Sequence, residues 1–452
     1  MRRSIWKQLE HWKNKPNRKP LILKGARQVG KTYILKAFGE ALFDGVHYLN
    51  FEKQERLSAL FSGDLDPREI LKNLSFHLDA DIRENDLLIF DEIQNTPRAL
   101  NSLKYFQEEM PQLHLCAAGS LLGLQLCDSS FPVGKVEFLN IYPMSFREFL
   151  SATGEKRSYN ILAEFDDEKL DGKKPLPPLI HEHLWQQLKL YFVVGGLPEV
   201  VKLYASLKEK PFLSLKEARK LQEDLINAYL ADMAKHSGKQ NSMHLERLWR
   251  NIPSQLAREL NGSTPKFTFK DIIPGLRRYS QLAGALDWLK TASLIIQVQI
   301  ANRGLLPFSA YTAQNLFKAY LFDVGLLGAL SDLPPKTILD YDYGSYKGYF
   351  AENFVAQEIS CATSKPLHSW KESRSEVEFL LEIDGEIVPV EVKSGRATKA
   401  RSLKAFVEKY SSKLGIIMSA ENIEIGTHTH RYPLYLAEKI PQILDYQIHH
   451  RD

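Results

Sequence analysis

Gly25-Ala26-Arg27-Gln28-Val29-Gly30-Lys31-Thr32 decides how the first part of this chain folds, because it joins the apolar run Leu21-Ile22-Leu23 to a helix-forming segment, KTYILKAFGEAL. The pattern is GxxxxGKT in a strand-to-helix context, the form of a phosphate-binding loop. Gly25 and Gly30 let the backbone wrap a phosphate so that consecutive N–H groups point inward, and the helix that follows adds its positive N-terminus. Lys31 is placed to reach β- and γ-phosphates, and the Thr32 hydroxyl to ligate a magnesium ion bridging them. The nucleotide-binding segment therefore runs through Gly25, Ala26, Arg27, Gln28, Val29, Gly30, Lys31, Thr32 and Tyr33.

Outward from this loop, Leu87-Leu88-Ile89-Phe90-Asp91-Glu92 is an apolar strand ending in two acids. Asp91 is expected to hold the magnesium through its water shell, and Glu92 to orient or deprotonate an attacking water. The next strand, LHLCAAGS, ends at Ser120. Two readings of Ser120 coexist, as a sensor of the γ-phosphate and as the N-cap of the segment SLLGLQL. Short apolar runs and helical stretches alternate from Leu21 to about Leu150, which predicts a parallel sheet with helices on both faces. Ile5, Trp6, Leu9 and Trp12 have helical spacing and predict an N-terminal helix covering that domain.

At 452 residues the chain holds about three domains of roughly 150 residues each. The apolar share of 44% and charged share of 25% are those of a packed, water-soluble protein. A net charge of +4 over this length is too small to imply nucleic acid by itself, so any basic surface must be local. No window approaches the apolar length of a membrane span, and the basic N-terminus has no apolar stretch behind it. Cys116, Cys127 and Cys361 form no CxxC pair, which fits a reducing, cytoplasmic setting without a structural zinc site.

Domain boundaries follow from composition. Residues 1–150 read as the P-loop domain, and 151–180 as a linker that Pro175, Pro177 and Pro178 keep irregular. Residues 181–335 are mostly helical, with the strand-like ASLIIQVQI near their end. Residues 336–452 form a small α/β domain in which SEVEFLLEI and EIVPVEVKSG are strands joined by an Asp384-Gly385 turn. Helix upon helix followed by β-structure is compatible with a winged helix, on which Arg277 and Arg278 are either a solvated basic helix face, as isolated arginine pairs commonly are, or phosphate contacts. His428 and His430 share one face of a strand that is expected to be exposed.

GARQVGKT, the Asp91-Glu92-Ile93-Gln94 run, Gly119-Ser120 and YPMSFREFL together resemble the AAA-type ATPases of bacteria and archaea that carry a C-terminal domain of unknown function. YFVVGGLPEVV, FKAYLFDVGLLGAL, ENFVAQEI, EVEFLLE and VPVEVKSG extend the resemblance over nearly the whole chain. It implies an α/β fold in three parts: a P-loop ATPase core with an additional strand, a mostly helical winged-helix-like region, and a small restriction-endonuclease-like end. It also implies ATP as the nucleotide. Where members have a Gly-Arg pair, this sequence has Gly134-Lys135, which keeps the charge and loses the fork geometry of an arginine finger. Arg147 is the other candidate.

A nuclease of the PD-(D/E)xK type needs carboxylates on neighbouring strands to hold magnesium and a lysine to activate water. Glu378, Glu391 and Lys393 occupy those places, and Glu352 on the preceding helix completes the cluster; the resembling pattern has aspartate where Glu378 stands. Three functions stay open: an ATPase whose hydrolysis drives conformational change in the attached domains and acts on DNA, a nucleotide-gated DNA nuclease, and a binding module that ATP switches without turnover. The partners these imply are nucleotide, DNA, a protein or a second copy of the chain, and no membrane.

Overall fold

The computed structural model describes residues 3–119, 134–165, 174–257, 266–270, 272–276, 278–341, 346–395 and 400–449. These fall into two compact units. One comprises Arg2–Tyr142 with Thr291–Ser293, the other Pro143–Lys290 with Leu294–Asp452.

In the N-terminal unit five strands, β1 (Leu21–Lys24), β2 (Val46–Asn50), β3 (Leu87–Asp91), β4 (His114–Gly119) and β5 (Glu137–Asn140), form one sheet in the order β2-β3-β4-β1-β5. Every pairing is parallel. β3 and β4 are buried at all positions, which is why they read as unbroken apolar runs instead of an alternation. Phe90 of β3 meets Phe51, Phe61 and Phe106 edge-on at 5.4, 5.8 and 6.3 Å, and this aromatic cluster fixes one face of the sheet. The expected N-terminal helix runs Ile5–Asn14 and buries Ile5, Leu9 and Trp12. Each such side chain contributes roughly 2 kcal/mol. β4 lies between the loop strand β1 and the acid-bearing β3, so the sheet has the additional strand that the resemblance implied.

The C-terminal unit begins with helices and ends on an eight-stranded sheet. Its strands are β6 (Ile295–Ala301), β7 (Thr312–Leu321), β8 (Leu367–Glu372), β9 (Ser375–Ile383), β10 (Glu386–Val392), β11 (Gly415–Ser419), β12 (Glu424–Ile425) and β13 (Thr429–Pro433). The order is β12-β13-β11-β10-β9-β8-β6-β7, with parallel and antiparallel pairs mixed. Asp384 and Gly385, at φ 48° and 82°, make the tight turn between β9 and β10.

The structure departs from the sequence reading in places. Within 151–180, residues Lys156–Glu164 form a helix that buries Leu162, while 166–173 lie outside the described residues. Pro178 opens the helix Pro178–Val194 instead of preventing one, since a proline at the first helical turn has no N–H to lose. β6 and β7 precede residue 336 yet belong to the same sheet as β8–β13, so helical and α/β parts share one unit. His430 is 5% exposed, not solvated, because β13 is flanked by β11 and β12. Among the described residues no helix is long and apolar enough to cross a membrane.

Inside this unit the segments that carried the resemblance are joined by buried polar contacts. Asp323 accepts from the amide of Gly196 at 2.6 Å, and a Cβ at Gly195 would collide with its carboxylate. Gln357 donates to the Tyr191 hydroxyl at 2.6 Å, and Glu358 accepts from the amide of Phe146 at 3.1 Å. Gly195 is thus needed for the close approach of Asp323, and Gly196 for that of the Met144 backbone.

Candidate functional site

The loop at Gly25–Thr32 takes its shape from contacts on both sides. A Cβ on Gly25 would collide with the carbonyl oxygen of Ile141, just beyond β5. Gly30, at φ 93°, is the residue before helix Lys31–Leu42, and Gln28 also has positive φ, so the loop coils tightly enough to aim its amides inward. Arg3, which no sequence pattern singled out, braces the loop by donating to Val29 O at 3.0 Å and Tyr142 O at 2.7 Å.

Lys31 is 7% exposed, and its Nζ donates to the carbonyls of Gly25 and Ala26 at 2.9 and 2.7 Å. Burial lowers its pKa to about 8, against the pull of Glu92 and Asp91. Thr32 Oγ1 donates to Asp91 Oδ2 at 2.8 Å, so loop and acid strand meet as the sequence implied. Tyr48 also donates to Asp91 Oδ2, at 2.7 Å, and in turn accepts from Asn50 at 3.0 Å. Burial and its acidic neighbours push the Tyr48 phenol up to about 12, so it remains a donor. Tyr48 was missed; a tyrosine in the strand HYLNF gave no signal beyond β-propensity.

Glu92 sits in the left-handed region at φ 51°, an unusual place for a glutamate and one that a surrounding structure must enforce. Gln94 donates to its carboxylate. Burial raises the Glu92 pKa, opposed by the Gln94 bond and by Lys31. Tyr33 is largely exposed, and Ser120 lies outside the described residues. The arginine-finger candidates are engaged elsewhere: Lys135 pairs with Glu108 at 2.9 Å, and Arg147 with Glu438 at 3.5 Å. The oxygens of Thr32 and Asp91, hard donors held together, fit a magnesium ion.

In the C-terminal unit the structure brings Glu352, Glu378, Glu391 and Lys393 together. Glu378 accepts from the amide of Val392 at 3.1 Å, Glu391 from that of Leu403 at 3.2 Å, and Lys393 Nζ lies 2.6 Å from Glu391 Oε1. Glu352 accepts from the Tyr320 hydroxyl at 2.7 Å. Burial and then the charge of Glu352 push Glu378 up to about 8, with Lys318 and Lys393 opposing. Lys318, fully buried, was missed by the sequence reading, as was Glu376, to which its Nζ approaches at 2.6 Å. β7 and β9 are not neighbours in the sheet, so the sheet curls to bring these two together. A lysine inside the apolar strand NLFKAYLF was the available signal, since an unpaired buried ammonium is prohibitive.

A parallel sheet with an inserted strand, a glycine loop capping a helix and an acid at the neighbouring strand end define a P-loop ATPase domain. Residues 17–150 match the model of the AAA domain family, residues 186–337 a domain of unknown function, DUF8612, and residues 347–437 another, DUF4143. Residues 17–150 are thus an AAA-type P-loop ATPase domain, and two domains of unknown function follow it in the chain. Among solved structures the chain is similar to the Walker-type ATPase of Pyrococcus abyssi, at 16% identity and a TM-score of 0.46, over 72% of this chain and 94% of that one. It is also similar to the Aeropyrum pernix ORC1 protein in complex with DNA, at 12% identity and a TM-score of 0.30, over 74% and 93% of the chains. Drosophila ORC bound to DNA is a further likeness, at 13% identity and a TM-score of 0.28, over 73% and 94%. No curated protein matches the chain.

Proposed function

We propose that this protein binds ATP with magnesium on the Gly25–Tyr33 loop, hydrolyses it, and couples turnover to a change in the Pro143–Asp452 unit, which handles DNA in the cytoplasm. The observation that carries the ATPase reading is the 2.8 Å bond between Thr32 Oγ1 and Asp91 Oδ2, with Lys31 Nζ held over the loop. Bound magnesium would neutralise phosphate charge at these oxygens. Lys31 supplies the positive charge for the outer phosphates, and the loop amides hold the inner ones. Glu92, kept by Gln94 in one orientation and raised in pKa by burial, is the group to hold and deprotonate water. Ser120 is assigned to sensing the γ-phosphate.

The test is magnesium-dependent ATP hydrolysis by the full chain beside Lys31→Ala and Glu92→Gln. Loss of turnover in both, with ATP binding kept in Glu92→Gln, supports the assignment. Equal turnover in either variant sinks it. Tight ATP binding with negligible turnover in the wild type would favour the switch without hydrolysis.

A second reading, a PD-(D/E)xK-type nuclease, is favoured by the convergence of Glu352, Glu378, Glu391 and Lys393. Against it stands Lys318, whose ammonium already faces these carboxylates. Magnesium-dependent DNA cleavage lost in Lys393→Ala, with ATP hydrolysis intact, would establish this reading over ours.

A further inference from the structure

The segment Lys266–Lys270, the start of helix Tyr279–Thr291 and the first half of β7 enclose an open groove of about 650 Å³. Lys266, Lys270 and Arg278 line it, all exposed, together with the amides of Gln314 and Asn315 and the hydroxyl of Ser280; among the described residues no carboxylate lines it, and Asp271 lies outside them. Among the described residues none of the three cations pairs with an acid, in a chain whose net charge is only +4. Three cations on one concave surface, with no acid partner among the described residues, make a local anion site that the overall charge conceals.

The floor of the groove is tied to its surroundings by hydrogen bonds and ring stacking. Gln255, itself 4% exposed, donates to Thr268 O at 2.9 Å and accepts from Thr268 N at 3.2 Å. Phe267 N donates to Phe317 O at 2.8 Å, and the two rings stack at 5.5 Å. Phe267 and Phe269 point inward, 4% and 8% exposed, which turns Lys266 and Lys270 outward on either side. Arg278 leads into the helix, its amide bonded to Gln281 at 3.1 Å.

We infer that this groove grips the phosphate backbone of double-stranded DNA, with Lys266, Lys270 and Arg278 on phosphates and Gln314 and Asn315 as neutral donors beside them. The aromatic residues decide between duplex and single strand. Non-specific single-strand binding stacks bases on exposed rings, whereas here Phe267 and Phe269 are buried and Tyr279 packs on Phe269 at 5.7 Å. Tyr279 and Leu316 are half-exposed in the groove, a single ring with no second beside it to carry successive bases, and the rest of the exposed lining is cationic and amide chemistry, which positions a duplex without reading its sequence. The inference rests on the reading of this unit as one that handles DNA, and gives that reading a surface.

The experiment measures binding of the full chain to a short fluorescent DNA duplex across a salt series. Three proteins are compared: wild type, the groove variant Lys266→Ser/Lys270→Ser/Arg278→Ser, and a control of equal charge loss, Lys202→Ser/Lys216→Ser/Lys220→Ser. The groove variant should bind roughly tenfold weaker or worse, with the log-log salt slope shallower by about 2 to 3, and the control like wild type. The single variants Lys270→Ser and Arg278→Ser, each flattening the slope by about 1, carry the test if the triple variant unfolds. Unchanged binding by the groove variant, with wild type binding duplex, overturns the groove and leaves the DNA reading standing. No duplex binding by wild type, with or without ATP, overturns both. Preference for single-stranded DNA or RNA over duplex overturns the duplex assignment.

Discussion

Lys318 Nζ lies 2.6 Å from Glu376 Oε1, and both side chains are sealed from solvent at the centre of the C-terminal carboxylate cluster. Burial alone would strip the proton from this lysine, but Glu376, Glu352 and Glu378 outweigh it and hold the ammonium charged. The protein thus carries its own cation where glutamates converge. Lys318→Met takes the buried ammonium away from Glu352 and leaves Glu376 with only the half-exposed Lys371, and should cost about 3 to 5 kcal/mol, read as a lowered urea midpoint. Adding Glu376→Gln to it should recover part of that loss. A Lys318→Met protein as stable as wild type would show that the pair contributes nothing the cluster needs.

The same cluster predicts a pH dependence. Burial and Glu352 raise the folded pKa of Glu378 to about 8, so between the ordinary glutamate value of about 4.3 and that point the native state binds a proton that the unfolded chain has lost. Stability from this group is full below the lower value and is lost as pH rises through the upper one. Charged neighbours on every side, Glu352, Glu391, Lys318 and Lys393, belong to the balance. Glu378→Gln, permanently neutral, should flatten the fall in thermal midpoint between pH 5 and 8. An unchanged slope in the variant would mean that Glu378 is ionised in the native protein.

How much of this was legible depended on whether residues act locally. GxxxxGKT and the apolar strand ending in Asp91-Glu92 announce themselves because chemistry and secondary structure coincide within a few residues. Their meeting, Thr32 on Asp91, follows from a parallel sheet that also could be read from alternating elements. Glu378, Glu391 and Lys393, on two strands joined by a tight turn, stand out for the same reason, and the structure brings them beside Glu352. Arg3, Tyr48, Lys318 and Glu376 were not found, since each acts through a partner distant in sequence that only the folded chain supplies. The proline-punctuated stretch misled because Pro178 at a helix start and Pro within a loop look alike in sequence.

Lys31 links nucleotide binding to pH. In the free protein burial lowers its pKa to about 8, so it carries its charge below that value and loses it above. Phosphate binding favours the charged form and must raise the pKa. ATP affinity should therefore weaken as pH rises through about 8, with proton uptake on binding there, measurable by calorimetry in two buffers of different ionisation heat. Lys31→Ala should bind weakly with no such dependence. Pronounced pH dependence surviving in Lys31→Ala would assign it to another group.

Gln94 supplies the most discriminating test of the water-activating role given to Glu92. It is 4% exposed and donates to the Glu92 carboxylate, while the Glu92 backbone is held at φ 51°. That bond lowers the Glu92 pKa against burial, so it sets both the orientation and the basicity of the carboxylate. Glu92→Gln removes the base and should lower kcat by about a hundredfold or more with ATP affinity kept. Gln94→Ala leaves the carboxylate but frees it, and should give a smaller loss of kcat with the acid limb of the pH-rate profile moved upward, because the raised pKa is no longer opposed. Gln94→Glu sets a second carboxylate against Glu92 and should move that limb further in the same direction. A positional effect alone would lower kcat and leave the limb where it was, and a fall in ATP affinity instead of kcat would place Gln94 in nucleotide binding.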